Sequence, residues 1–189
     1  MTPKIAVVTG VSGSGKTTAC ARVAALAQAS GLRVAGVLSP PRNIGGAKTG
    51  IDLEDIASRS CRPLATSLAM PGASGTAQED ASRGPRLGMW RFDAGTLAWG
   101  RQLLASATPC DVLVIDEIGP LELLRDEGWP NALEVLRQGG YTLAVVGVRR
   151  ALVATLAGRL SGARLWVLPV DPSSRDELPA KILRTWSEP

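Results

Sequence analysis

Residues Gly10–Thr18 read Gly-Val-Ser-Gly-Ser-Gly-Lys-Thr-Thr, a lysine behind three glycines and ahead of two threonines. Gly10, Gly15, Lys16 and Thr17 fit the spacing G-x-x-x-x-G-K-[ST] of a phosphate-binding loop. The composition follows from the task. Gly13 and Gly15 let the backbone wrap closely around an anion, with positive φ where the turn needs it. The N–H groups along Val11, Ser12, Gly13 and Ser14 then converge as an anion nest. The first turn of a following helix adds unpaired N–H groups and its dipole. In such a loop Lys16 reaches the β- and γ-phosphates, and the Thr17 hydroxyl is offered to Mg2+. Thr18 is expected at the α-phosphate or as an ordinary first-turn residue.

A phosphate cradle serves many reactions, so a second site has to choose among them. The stretch Asp111–Gly119, Asp-Val-Leu-Val-Ile-Asp-Glu-Ile-Gly, carries four apolar residues into the acidic pair Asp116-Glu117. A buried strand delivers such a pair to its C-terminal end, the edge where open α/β sheets bind ligands. Asp116 is the expected Mg2+ ligand, direct or through water. Glu117 is placed to orient and deprotonate a water for in-line attack. The chain has no N-K-x-D stretch of the kind that reads guanine, and no arginine-rich lid of the nucleotide-kinase kind. The tandem acids therefore point to water as acceptor. Phosphoryl transfer to a small molecule or nucleotide, and a nucleotide-switched accessory protein, stay open as alternatives. For charge stabilisation the candidates are Arg42, Arg149, Arg150 and Arg175, with Arg175 ranked first.

These groups need a scaffold that brings them together. Ile5–Thr9 is an apolar, β-rich run before the glycine loop, and Lys16–Ala29 has apolar residues at helical spacing with neither Gly nor Pro. Strands are expected at Arg33–Leu38, Leu87–Phe92, Val112–Ile115, Thr142–Val148 and Arg164–Val170. Helices are expected at Ala94–Ala107, Trp129–Gln138 and Ala151–Leu160, with a last one opened by Asp171-Pro172-Ser173. Gly45-Gly46 suggests a hairpin within the irregular stretch Arg42–Ala69. Met70–Arg86, rich in Gly, Ala, Ser and Pro, is expected as a mobile loop. Strands alternating with helices call for a mostly parallel sheet flanked by helices, an α/β fold in one domain over 1–189.

Composition excludes several chemistries. The chain of 189 residues contains no histidine, which removes histidine acid–base catalysis and ordinary zinc sites. Its three cysteines are widely spaced, so buried thiols in a reducing compartment are expected rather than disulfides. The net charge of +4 comes from scattered basic residues, which favours a solvated surface over a nucleic-acid-binding one. No leader pattern or membrane-length apolar run is present, so a cytoplasmic protein is expected, with a protein partner left open.

With the motifs Gly10–Thr18, Asp116–Leu123 and Val170–Leu183 in hand, the sequence resembles a P-loop nucleoside-triphosphatase family. That family includes the human cancer-related nucleoside-triphosphatase and thermophile relatives. The resemblance implies a three-layer, RecA-like sheet with a hairpin insertion and one strand between the loop-bearing and acid-bearing strands. It implies Mg2+-dependent hydrolysis of ATP, GTP and other nucleoside triphosphates to the diphosphate and phosphate. It assigns the cradle to Lys16 and Thr17 and the metal and base roles to Asp116 and Glu117. Two departures stand out. Pro40-Pro41 replaces acidic residues and Asn43 falls where relatives carry arginine, leaving Arg42 or Lys48 to meet the γ-phosphate. Gly88-Met89-Trp90 stands where relatives carry Gly, Lys or Arg, and Tyr.

Overall fold

A computed structural model describes residues 2–69 and 83–187. Its frame is one mixed sheet in the order β10-β1-β9-β8-β2-β4-β5-β7-β6, with β3 paired to β4. The parallel part comprises β1 (Lys4–Gly10), β2 (Val34–Leu38), β8 (Cys110–Ile118), β9 (Tyr141–Arg149) and β10 (Arg164–Pro169). β1, β8 and β9 are largely buried on both faces, which is why they read as continuous apolar runs, whereas β10 is an edge strand in which Leu168 is the buried residue. β9 lies between β1 and β8, so the loop-bearing and acid-bearing strands are separated by one strand, as the resemblance implied.

Helices cover both faces. α1 (Lys16–Ala29) packs Ala19, Cys20, Val23, Ala24 and Ala27 into one apolar cluster, which α6 (Leu178–Ser187) joins through Leu178 and Ile182. The other face buries α2 (Ala94–Ala105), α4 (Asn131–Gln138) and α5 (Val153–Arg159) around Leu97, Leu104, Leu133, Leu136 and Leu156. A short helix α3 (Pro120–Leu124) follows β8, and a 3-10 turn over Arg150–Leu152 precedes α5.

The second part of the sheet is antiparallel and larger than one hairpin. It contains β3 (Pro41–Ile44), β4 (Ala47–Asp55), β5 (Cys61–Ser67), β6 (Arg83–Leu87) and β7 (Trp90–Asp93). The β3–β4 turn is the hairpin expected at Gly45-Gly46. The expected strand Leu87–Phe92 is instead a turn, Gly88-Met89, between β6 and β7. Gly88 has φ +58, which serves such a turn. Of the expected loop Met70–Arg86, residues 70–82 lie outside the described residues, and 83–86 belong to β6. The last helix starts at Leu178 rather than after Asp171, because residues 171–177 form turns and Pro179 fits a first helical turn. Cys20 and Cys110 are buried as expected; Cys61, at the start of β5, is exposed.

Candidate functional site

The turn from β1 into α1 has the backbone that the glycines permit. Gly13 and Gly15 adopt φ +80 and +101, and Gly15 is the N-cap of α1. Gly10 is required for packing: a Cβ there would lie 2.3 Å from Ser14 Oγ and 2.7 Å from the Val170 carbonyl. No acidic side chain occupies the first turn of α1, so its N–H groups and dipole face the loop uncompensated. The Lys16 ammonium bridges the loop, donating to the Gly10 carbonyl at 3.1 Å and the Val11 carbonyl at 2.9 Å. Burial lowers its pKa, and the Glu117 carboxylate opposes that shift.

β8 delivers the acids through a break in its ladder. Its register against β9 shifts between Ile115 and Ile118, an irregularity that re-aims side chains. β9 comes close here because it carries glycine; a Cβ on Gly147 would sit 1.7 Å from the Asp116 carbonyl oxygen. Asp116 is 1% exposed. Its Oδ2 accepts from the Ser39 N–H at 2.9 Å, while its Oδ1 is buried without a hydrogen-bond partner. Burial raises its pKa to about 6, against the lowering effect of the Ser39 N–H and the Thr17 hydroxyl. A buried carboxylate oxygen without a partner, beside a threonine hydroxyl, fits a hard divalent cation. Mg2+ takes one or two such protein ligands and completes its shell with water and phosphate oxygens.

Glu117 has a different setting. Its Oε1 accepts from Arg149 Nε at 3.1 Å, and both side chains are partly open to the cleft. Glu122 works on the backbone rather than on an arginine. Its carboxylate accepts from the Gly119 N–H at 2.9 Å and the Trp129 N–H at 3.1 Å, tying α3 to the loop after it.

A cleft of about 1020 Å3 runs along this edge of the sheet. It gathers Ser12, Gly13, Gly15, Lys16, Thr17 and Thr18 with Asp116, Glu117 and Arg149, and continues to Asn43, Lys48 and Trp90. Arg175 also lines it, packed so closely that a Cβ on Gly15 would be 2.9 Å from Arg175 Cδ. A turn centred on Asp171 sets this position: the carboxylate accepts from the N–H groups of Ser173 and Ser174, both at 2.9 Å, and the Arg175 N–H donates to the Asp171 carbonyl at 3.0 Å. Hydrogen bonds from Ser173 and Ser174 depress the Asp171 pKa to about 2. Arg42 does not join the cleft lining; its Nη1 pairs with Asp52 Oδ1 at 3.0 Å. Lys48 Nζ stands 5.0 Å over the Trp90 ring. Arg149 is the arginine that meets an acidic residue of the site. Its partner lies 32 positions away in sequence, and only strand order reveals the pairing.

A family model described as NTPase matches residues 5–183. A nucleoside-triphosphatase THEP1 of Methanosarcina acetivorans is 33% identical over 177 residues, covering 93% of this chain and 92% of that protein. One from Methanothermobacter thermautotrophicus is 30% identical, with 93% and 92% covered. The solution structure of a human cancer-related nucleoside triphosphatase superimposes with a TM-score of 0.69 at 23% identity, covering 97% of each chain. The crystal structure of THEP1 from Aquifex aeolicus gives 0.69 at 17% identity, covering 97% of this chain and 99% of that one. With its phosphate loop, its acid-bearing strand and a family match over residues 5–183, the chain belongs to this NTPase family of nucleoside-triphosphatases.

Proposed function

We propose that this chain, acting as one domain over 1–189, is a cytoplasmic Mg2+-dependent hydrolase that cleaves nucleoside triphosphates to diphosphate and phosphate. The observation that carries the reading is the unpartnered, buried Oδ1 of Asp116 beside Thr17, in one cleft with the glycine loop and Lys16. Thr17 and Asp116 would hold Mg2+, which when bound supplies charge neutralisation on the β- and γ-phosphate oxygens. The loop from Gly10 to Thr18 grips the phosphates through its N–H groups. Lys16 exchanges the Gly10 and Val11 carbonyls for phosphate oxygens, so its ammonium is preplaced. Glu117 takes the proton of the attacking water as the bond to the γ-phosphorus forms and the β–γ bridge breaks. Arg175, against Gly15, serves the nucleoside end. Arg42 reaches a γ-phosphate only by leaving Asp52.

Glu117→Gln tests the assignment. It should bind nucleotide and lose turnover about 100-fold or more, the usual worth of a general base. Wild-type turnover in that variant removes Glu117 from the role. A second reading, phosphoryl transfer to a small molecule, draws on the extension of the cleft past Glu117 to Lys48 and Trp90. Strict dependence of γ-phosphate loss on an added acceptor would favour it.

A further inference from the structure

Arg149 is the last residue of β9, and its backbone pairs in register with Gly10, the first residue of the phosphate loop. β9 stands between β1 and β8, so the guanidinium starts from a point between the loop and the acidic pair. Three other candidate cations have different ties. Lys16 sits on two loop carbonyls, Arg175 lies against Gly15 and Asp176, and Arg42 is held by Asp52. Arg149 instead holds Glu117, through Nε at 3.1 Å, with side chains 47% and 34% exposed. A pair this open to solvent is weak and cheaply exchanged.

We propose that Arg149 is a two-position residue: it holds the Glu117 carboxylate while no γ-phosphate is present, and moves onto the γ-phosphate when a triphosphate binds. This rests on the hydrolase reading above. The exchange follows from charge and geometry. A γ-phosphate brings more negative charge than a carboxylate and accepts the planar guanidinium fork through two parallel hydrogen bonds. Leaving Glu117 frees its oxygens for the attacking water. The water oxygen then bonds to the γ-phosphorus, the β–γ bridging bond breaks with its electron pair going to the diphosphate, and the water proton passes to Glu117. Arg149 offsets the charge on the transferring group from within the same chain, so no partner has to supply an arginine. When phosphate leaves, the guanidinium returns to Glu117 and the site idles. Without the exchange, Glu117 would stay tied to Arg149 and the γ-phosphate would lack that cation.

The test is a double-mutant cycle read by affinity and by rate. Wild type, Arg149→Ala, Glu117→Gln and the double variant are titrated with a β–γ-methylene triphosphate analogue and with the diphosphate, each with Mg2+. Phosphate release from ATP is measured in parallel. Arg149→Ala should lose about 10-fold or more of the preference for triphosphate over diphosphate. Its turnover should fall about 1,000-fold, the low end for a lost arginine on a transferring phosphoryl group. Glu117→Gln should bind the analogue several-fold more tightly with no change for diphosphate, because the guanidinium no longer has to be drawn away. In the Arg149→Ala background that gain should shrink to less than half. An undiminished gain there overturns the exchange, as does wild-type triphosphate preference in Arg149→Ala. Arg149→Lys, which keeps the charge without the fork, repeats the cycle if the alanine variant does not fold. The affinity arms do not require turnover, so a wild type that binds triphosphate without releasing phosphate contradicts the hydrolase reading separately.

Discussion

At the scale of single residues, the site rests on a carboxylate placed where burial works against its charge. Asp116 has a folded pKa of about 6 against an ordinary value of 3.8. The folded protein therefore holds its proton more tightly than the unfolded chain does. This group favours folding fully below about pH 4, and its contribution is lost as pH rises through about 6. A shift of about two units corresponds to about 3 kcal/mol, an order-of-magnitude cost of keeping the charge ready for a cation. Metal-free protein should accordingly gain thermal stability on going from pH 7 to pH 5, and Asp116→Asn should flatten that part of the profile. An unchanged slope in the variant would place the charge elsewhere. Lys16→Ala should abolish phosphate release in a steady-state assay, since no other ammonium lies in the loop. The residues of the cradle and both acids are legible from spacing because each must be one residue type at one offset. Arg149 is not distinguished in this way. Its neighbour Arg150 has the same type, and the value of its position comes from β9 lying between β1 and β8.

At the scale of elements, β8 and β9 aim the acids, and glycine makes their approach possible. Gly147→Ala would press a Cβ against the Asp116 backbone carbonyl oxygen from 1.7 Å, with no flexible side-chain atom to yield. The expected cost is about 2 kcal/mol or more of stability, read as a lower midpoint in denaturant, together with weaker Mg2+-nucleotide binding because Asp116 moves. A variant with unchanged midpoint and affinity would show that the break in the β8 ladder does not position the acid. The central parallel strands β1, β8 and β9 are easy to read because burial on both faces leaves unbroken apolar runs. The antiparallel part is not. β4 alternates buried with less buried residues and contains Gly50, while β5 includes Pro63 and exposes three of its first residues. Their pairing depends on neighbours distant in sequence, so local composition reads as irregular.

At the scale of the whole molecule, strand order converts distant motifs into one site. About a hundred positions separate Lys16 from Asp116, yet β1, β9 and β8 are successive neighbours, and the cleft at their C-terminal ends holds both. A ligand that engages this edge ties together β1, α1, β8 and the turn carrying Arg175. Mg2+ with a non-hydrolysable triphosphate should therefore raise the melting temperature in proportion to ligand concentration over Kd, and Lys16→Ala should abolish the rise. Among the described residues no helix is long and apolar enough to cross a membrane. The most direct measurement is phosphate release from ATP, GTP, CTP and UTP by the whole chain with Mg2+ and no added acceptor. The account predicts steady release of one phosphate per triphosphate, lost on chelation of Mg2+. Triphosphate that stays intact until an acceptor is supplied would contradict it.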